Sequence, residues 1–133
     1  VPQITEWHIQ RAFTTFFKGE KWKNGPLKGQ WKVQPSCLPG VVSWHTPNNG
    51  KREDGGALEG SWLKDIGLEP GIPDYFFLWG RLHFIEFKKP GGVLSPAQKL
   101  IHPRLTAAGA IGCTLDDLED AKRVVRSWGL TLC

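Results

Sequence analysis

The sequence predicts an α/β fold: a small mixed β-sheet flanked by helices. Three observations predict it. Residues 4–18 and 116–128 carry apolar side chains at helical spacing. Residues 41–45, 75–79, 82–88 and 110–114 are short, β-rich or alternating runs. The two kinds of segment interleave along the chain, which is the pattern of layered helices and strands. At 133 residues, 40% apolar and 23% charged, residues 1–133 suit one globular domain.

Residues 4–18 read as a helix with Ile9, Ala12, Phe13, Phe16 and Phe17 on one stripe and Thr5 as N-cap. Glu6 continues that stripe toward the N-terminus. It is either an acid favoured by the helix dipole or a carboxylate aimed at a site. Residues 19–40 are rich in glycine and proline and read as a loop insertion, with a short strand near residues 30–33. Residues 41–45 form a strand, and His45-Thr-Pro-Asn48-Asn49-Gly50 is a turn-rich loop running into Lys51 and Arg52. Residues 56–66 fit a short helix closed by Gly67.

Residues 71–92 read as a β-hairpin carrying charge. Leu82, Phe84, Glu86 and Lys88 share one face of the second strand; His83, Ile85 and Phe87 share the other. A face that packs apolar side chains therefore ends in a carboxylate and an ammonium, which are costly to bury unless paired or metal-bound. The turn decides where Asp74 falls. A two-residue loop at Gly80-Arg81 puts it opposite Phe87 and away from Glu86. An odd loop at Trp79-Gly80-Arg81, or a bulge, puts Asp74 opposite Glu86. The odd arrangement is expected. Asp74, Glu86 and the carbonyl of Phe87 would then form a hard-oxygen set suited to Mg²⁺ or Mn²⁺, with Lys88 beside a phosphate.

Ser95, Pro96 and Gln98 spell a capping box opening the next helix, and Pro103 predicts a kink or break near His102. Residues 110–114 form a strand. The last helix, residues 116–128, has its acids early and its bases late.

Charge points to a polyanion. Residues 18–52 hold seven lysines and arginines against Glu20 alone, interleaved with Trp22, Trp31 and Trp44. No apolar run approaches the roughly 20 residues of a membrane span, no signal-peptide pattern opens the chain, and the three cysteines form neither a disulfide framework nor a zinc set. An intracellular protein in a reducing compartment, without a membrane partner, is expected.

Taken together, Glu6 with Ile9-Gln10, the loop of residues 45–50, Gly71-Ile72-Pro73-Asp74, Glu86-Phe87-Lys88, Leu94-Ser95-Pro96-Ala97-Gln98 and Gly109 resemble the virus-type replication-repair nuclease (VRR-NUC) domain of the PD-(D/E)xK superfamily. The resemblance spans about residues 4–125, in the family's order. It implies a restriction-endonuclease-like core and a metal-dependent DNA endonuclease. Asp74 and Glu86 match the metal-binding carboxylates, Lys88 the motif lysine, Glu6 the supporting glutamate of the first helix, and Gln98 the glutamine after the motif. Stand-alone relatives look like phage-encoded, homodimeric Holliday-junction resolvases acting on branched DNA in a bacterial host; the domain fused to a larger repair protein acts on flaps. His45, Asn48, Asn49, Lys51 and Arg52 are the expected DNA contacts. Two stretches depart from the family pattern: the long loop of residues 19–40 and the proline at 103. A flap-type or general nuclease, and a non-catalytic DNA-binding module on the same fold, are the alternatives. A histidine-metal nuclease around His45 lacks a second nearby histidine.

Overall fold

The computed structural model describes residues 3–46 and 69–132. The order of elements is α1 (Glu6–Lys18), β1 (Glu20–Lys21), β2 (Trp31–Val33), β3 (Val42–His45), β4 (Tyr75–Trp79), β5 (Arg81–Phe87), α2 (Pro96–Ala107), β6 (Ile111–Leu115) and α3 (Leu118–Ser127). β1 and β2 form a two-stranded ribbon, and the other strands form a four-stranded sheet in the order β3-β4-β5-β6. The helix expected over residues 56–66 lies outside the described residues. The chain divides into two compact units. One takes the described residues of Val1–Val42, Phe87–Gly92 and Thr114–Cys133; the other takes those of Ser43–Glu86 and Val93–Cys113.

In the first unit, α1 buries the stripe its spacing dictates: Ile9, Phe13 and Phe17. Phe13 stacks on Phe17 with ring centroids 5.5 Å apart and meets Phe87 at 5.4 Å. Thr5 is the N-cap, as its position implies, but its partner in the capping box is the side chain of His8. A glutamate or glutamine is the usual reciprocal residue, so the sequence signature was absent. α3 lies against α1 and buries Ala121 and Val125. Lys122 and Arg126 of α3 sit over the ring of Phe16 at 5.2 and 5.4 Å. The expected start of this helix at residue 116 is corrected: Asp117 is its N-cap and accepts from the Asp120 N–H, while Asp116 accepts from the Gly91 N–H at 3.2 Å. An aspartate binds better as a cap than inside the first turn, because its carboxylate satisfies an otherwise unbonded N–H.

Gly19 closes α1 at φ 77, and a Cβ there would lie 2.7 Å from the Val33 oxygen and 2.8 Å from the Pro35 nitrogen. The chain leaves this point, runs out and back as the β1–β2 ribbon, and returns to the same helix end. There the N–H of Ser36 donates to Phe16 O and Phe17 O, and that of Cys37 to Phe17 O. The returning segment thus satisfies carbonyls that a helix C-terminus leaves open. The segment read as a loop insertion with a short strand near residues 30–33 holds that strand as β2, and β1 pairs with it to make a ribbon with an anchored base.

The second unit is built on the β4–β5 hairpin. The strands pair antiparallel, Tyr75 with Ile85, Phe76 with Phe84, Phe77 with His83, Leu78 with Leu82 and Trp79 with Arg81. Gly80, at φ 73, is the odd residue at the tip, in the left-handed region that suits glycine. The Arg81 guanidinium donates twice to the Gly109 oxygen, at 3.1 and 2.9 Å, and ties the turn to the approach of β6. A Cβ at Gly112 would fall within 2.3 Å of the Phe84 ring, so the β6 backbone lies directly over that ring. These contacts, at a constant sequence offset, show β5 and β6 side by side and parallel, joined through α2. Phe76, Phe84 and Ala110 form the buried cluster, with Ile72, Leu82 and Leu105 against it. Trp44 stacks on Phe76 and His45 meets Tyr75, while the Thr46 N–H donates to Asp74 O, so β3 runs antiparallel to β4.

Pro103 does not break α2. The helix is continuous from Pro96 to Ala107, so of the kink or break expected near His102 the break does not occur. A proline removes one N–H and crowds the turn before it. Here the capping box at Ser95 and the burial of Ile101 and His102 outweigh that cost. His83, on the face opposite Phe84, is buried, and its imidazole is held below the ordinary value of 6.5 by desolvation, with hydrogen bonds to the backbone of Phe77 and Arg81 pulling the other way. A base with a depressed folded pKa contributes stability that is complete above its unfolded pKa and lost as pH falls toward the folded one. Urea denaturation between pH 7 and about 5 should therefore show stability falling with acid, less steeply in His83→Gln.

Candidate functional site

The site is built from the end of the hairpin opposite its turn. The Tyr75–Ile85 pair is the last in β4. Continued by one residue, that register sets Asp74 opposite Glu86, so the odd turn at Gly80 gives the two carboxylates the same face. A shift of one residue would have sent them to opposite faces. Gly71-Ile72-Pro73 leads into this point. Gly71, at φ 78, lies so close to α2 that an added Cβ would be 2.5 Å from the Ala97 carbonyl carbon and 2.6 Å from the Gln98 nitrogen. Only a glycine lets the approach to Asp74 pass against the first turn of that helix.

Asp74 is 7% exposed and Glu86 1%. Two carboxylates so far from water need a compensating cation or donors. A side chain of α2 stands beside the second: His102 Nε2 lies 3.4 Å from Glu86 Oε1. The His102 ring also packs 5.2 Å from that of Phe84, two residues before Glu86 on the same strand face. His102 is the site residue that sequence reasoning missed. The available signal was its position four residues after Gln98, which places both on one face of α2.

The remaining expected residues fall as follows. Gln98 caps α2: its Oε1 accepts from the Ser95 N–H at 2.8 Å, and Ser95 Oγ accepts from the Gln98 N–H. Its oxygen is therefore engaged by the helix end, and its amide NH₂ is the polar group left to face elsewhere. His45 ends β3, exposed, with its ring edge toward Tyr75. Because the Thr46 N–H bonds Asp74 O, the loop of residues 45–50 departs from beside Asp74. Asn48, Asn49, Lys51 and Arg52 lie outside the described residues. Glu6, Phe87 and Lys88 belong to the first unit. Glu6 is half-buried in the first turn of α1. Phe87 is buried against Phe13. Lys88 is buried, and its N–H donates to Leu115 O, one residue past the end of β5.

A solved structure described as a VRR_NUC domain protein matches this chain over 94% of its length and 88% of that protein's, with a TM-score of 0.64 and 20% sequence identity. The chain has the VRR-NUC fold. No protein-family model and no curated protein matches it by sequence. The match accords with the architecture above, a mixed α/β arrangement consistent with a restriction-endonuclease-like core.

The donor chemistry of Asp74 and Glu86 fits a hard divalent cation. Both offer oxygen, and Mg²⁺ takes one or two carboxylates while keeping water and phosphate in its other positions. Among the described residues no three or more His, Cys, Asp or Glu side chains gather into a metal-binding group. Among the described residues no helix is long and apolar enough to cross a membrane.

Proposed function

We propose that this protein is a Mg²⁺- or Mn²⁺-dependent endonuclease that hydrolyses phosphodiester bonds in branched DNA, working inside the cell as a homodimer of the Holliday-junction-resolvase kind. The observation that carries the reading is the odd hairpin register. It sets Asp74 opposite Glu86 on a VRR-NUC fold, in a sequence that continues to Lys88. A strand that needed only to pack would gain nothing from a carboxylate pair at its buried end.

Asp74, Glu86 and the Phe87 carbonyl are the groups that would hold the cation. Once bound, the ion supplies Lewis-acid polarisation of a phosphoryl oxygen and a water of lowered pKa. Lys88 contributes a fixed positive charge for the phosphate and a donor to orient the attacking water. Glu6 supports the metal centre, and the Gln98 amide NH₂ donates toward the substrate while its oxygen holds the helix cap. His45, Asn48, Asn49, Lys51 and Arg52 hold the backbone of the DNA beside the cut. Symmetric cleavage of a four-way junction requires two copies of a chain with one site each, related by a two-fold axis.

The test is cleavage of a mobile-free four-way junction and of a flap of equal length, with Mg²⁺ and with chelator. Light scattering on the same preparation compares the mass with that of the 14.9 kDa chain. Paired, symmetric junction cuts that vanish with chelator, from a particle of twice the chain mass, are expected. Preferential cutting of the flap by a monomer would replace the junction assignment. Tight DNA binding with no metal-dependent cleavage of any substrate would replace the enzyme by a binding module.

A further inference from the structure

The β1–β2 ribbon is unexplained by the fold. Residues 21–34 are exposed on both faces, so the ribbon buries no core of its own. Isolated two-stranded ribbons are marginal in water. Its side chains are also unusual for a solvated hairpin: residues 20–33 hold four lysines, one glutamate and two tryptophans. These side chains are paired across the strands. Lys21 is the register partner of Trp31, and its Nζ stands 4.7 Å from that ring centroid. Lys32 Nζ stands 4.8 Å from the ring of Trp22. The register shifts between Glu20, opposite Val33, and Lys21, opposite Trp31, which makes Lys32 the extra residue of the second strand, and its contact with Trp22 gives the ribbon a second lysine held on a tryptophan. The tryptophans remain 39% and 41% exposed.

We infer that this ribbon is a DNA-binding arm that enters a duplex groove, its two tryptophan-held lysines contacting the phosphate backbones. The inference deepens the reading of the protein as a DNA enzyme and rests on it. Three features support it. The major groove of B-DNA, about 12 Å wide, admits a two-stranded β-ribbon. The two held lysines, in a ribbon with a single glutamate, complement a groove bounded by phosphates. The tryptophans fix the ammonium groups in place, which lowers the ordering cost of the contact. Lys23 and Lys28, nearer the tip, add charge of the same sign. The base is held by Gly19, Ser36 and Cys37 at the end of α1, so the arm projects from a fixed root.

The experiment measures binding of a short blunt duplex and of a single strand of equal length by fluorescence anisotropy, in chelator so that nothing is cut, across a range of salt. Variants are Lys21→Ala, Lys32→Ala, Trp22→Leu and Trp31→Leu, each checked for unchanged melting temperature. Each lysine variant should lower the slope of log K against log salt by about 0.9 and weaken duplexes of unrelated sequence equally. Each tryptophan variant should weaken binding a few-fold while keeping the slope, because the lysine remains but is no longer held. Wild-type affinity and slope in all four variants, with wild type binding duplex tightly, would overturn the arm and leave the enzyme reading intact. Tryptophan losses larger than the lysine losses, with single strands preferred, would overturn the groove assignment in favour of stacking on unpaired bases. Wild type that binds no DNA would overturn both readings.

Discussion

Glu86→Gln is expected to lower the single-turnover rate of DNA cleavage by on the order of 10³-fold, about 4 kcal/mol of transition-state stabilisation, while the protein stays folded. The amide keeps the volume of the side chain in a position that is 1% exposed, so the packing around Phe84 and Phe76 is undisturbed. It removes a carboxylate that is expensive to hold out of water and changes the 3.4 Å contact with His102, two effects of opposite sign. The net change in stability should stay within about 1 kcal/mol, and an unchanged or raised melting temperature beside lost activity would separate chemistry from folding. Lys88→Met, which keeps the length and loses the charge, should give a comparable rate loss, and the double variant should be little worse than either single, because groups acting on one phosphate are not additive. Cleavage at the wild-type rate in both single variants would remove the hairpin from the mechanism.

Much of this site was legible because strand chemistry is local. Alternation assigns Glu86 and Phe84 to one face of β5, and a single glycine between Trp79 and Arg81 fixes an odd turn, so the position of Asp74 follows from counting. The capping box at Ser95 and Gln98 was equally local. What escaped depended on packing. His102 meets Glu86 only because α2 crosses the hairpin face, and nothing in the helix itself identifies that partner. The persistence of α2 through Pro103 is also a tertiary effect, in which burial of neighbouring side chains overrides a strong local preference. Of the ribbon only the strand near residues 30–33 was read, because β1 is two residues long and shows no hydrophobic alternation; cation–π pairs across the strands replace it, and these are visible only in three dimensions.

Gly71→Ala should cost about 2–5 kcal/mol of stability. Two contributions add. The residue sits at φ 78, a conformation that costs an L side chain roughly 1–2 kcal/mol. The new methyl would also meet the Ala97 carbonyl carbon at 2.5 Å and its oxygen and the Gln98 nitrogen at 2.6 Å, all backbone atoms that cannot rotate away. Relief requires the chain before Asp74 to lift from the first turn of α2, or the first turn to move. Either displacement acts on the capping box of Ser95 and Gln98 and on the register that sets Asp74 opposite Glu86. A lowered urea midpoint is therefore expected together with a loss of activity that persists at concentrations where the variant is fully folded. Gly80→Ala is the control. It has positive φ at the hairpin tip but nothing within 4 Å of its added Cβ, so it carries the conformational cost alone. If both variants lose the same stability, the close approach of Gly71 to α2 contributes nothing, and the clamp that orients Asp74 must be sought in Pro73 and in the Thr46 hydrogen bond to the Asp74 carbonyl.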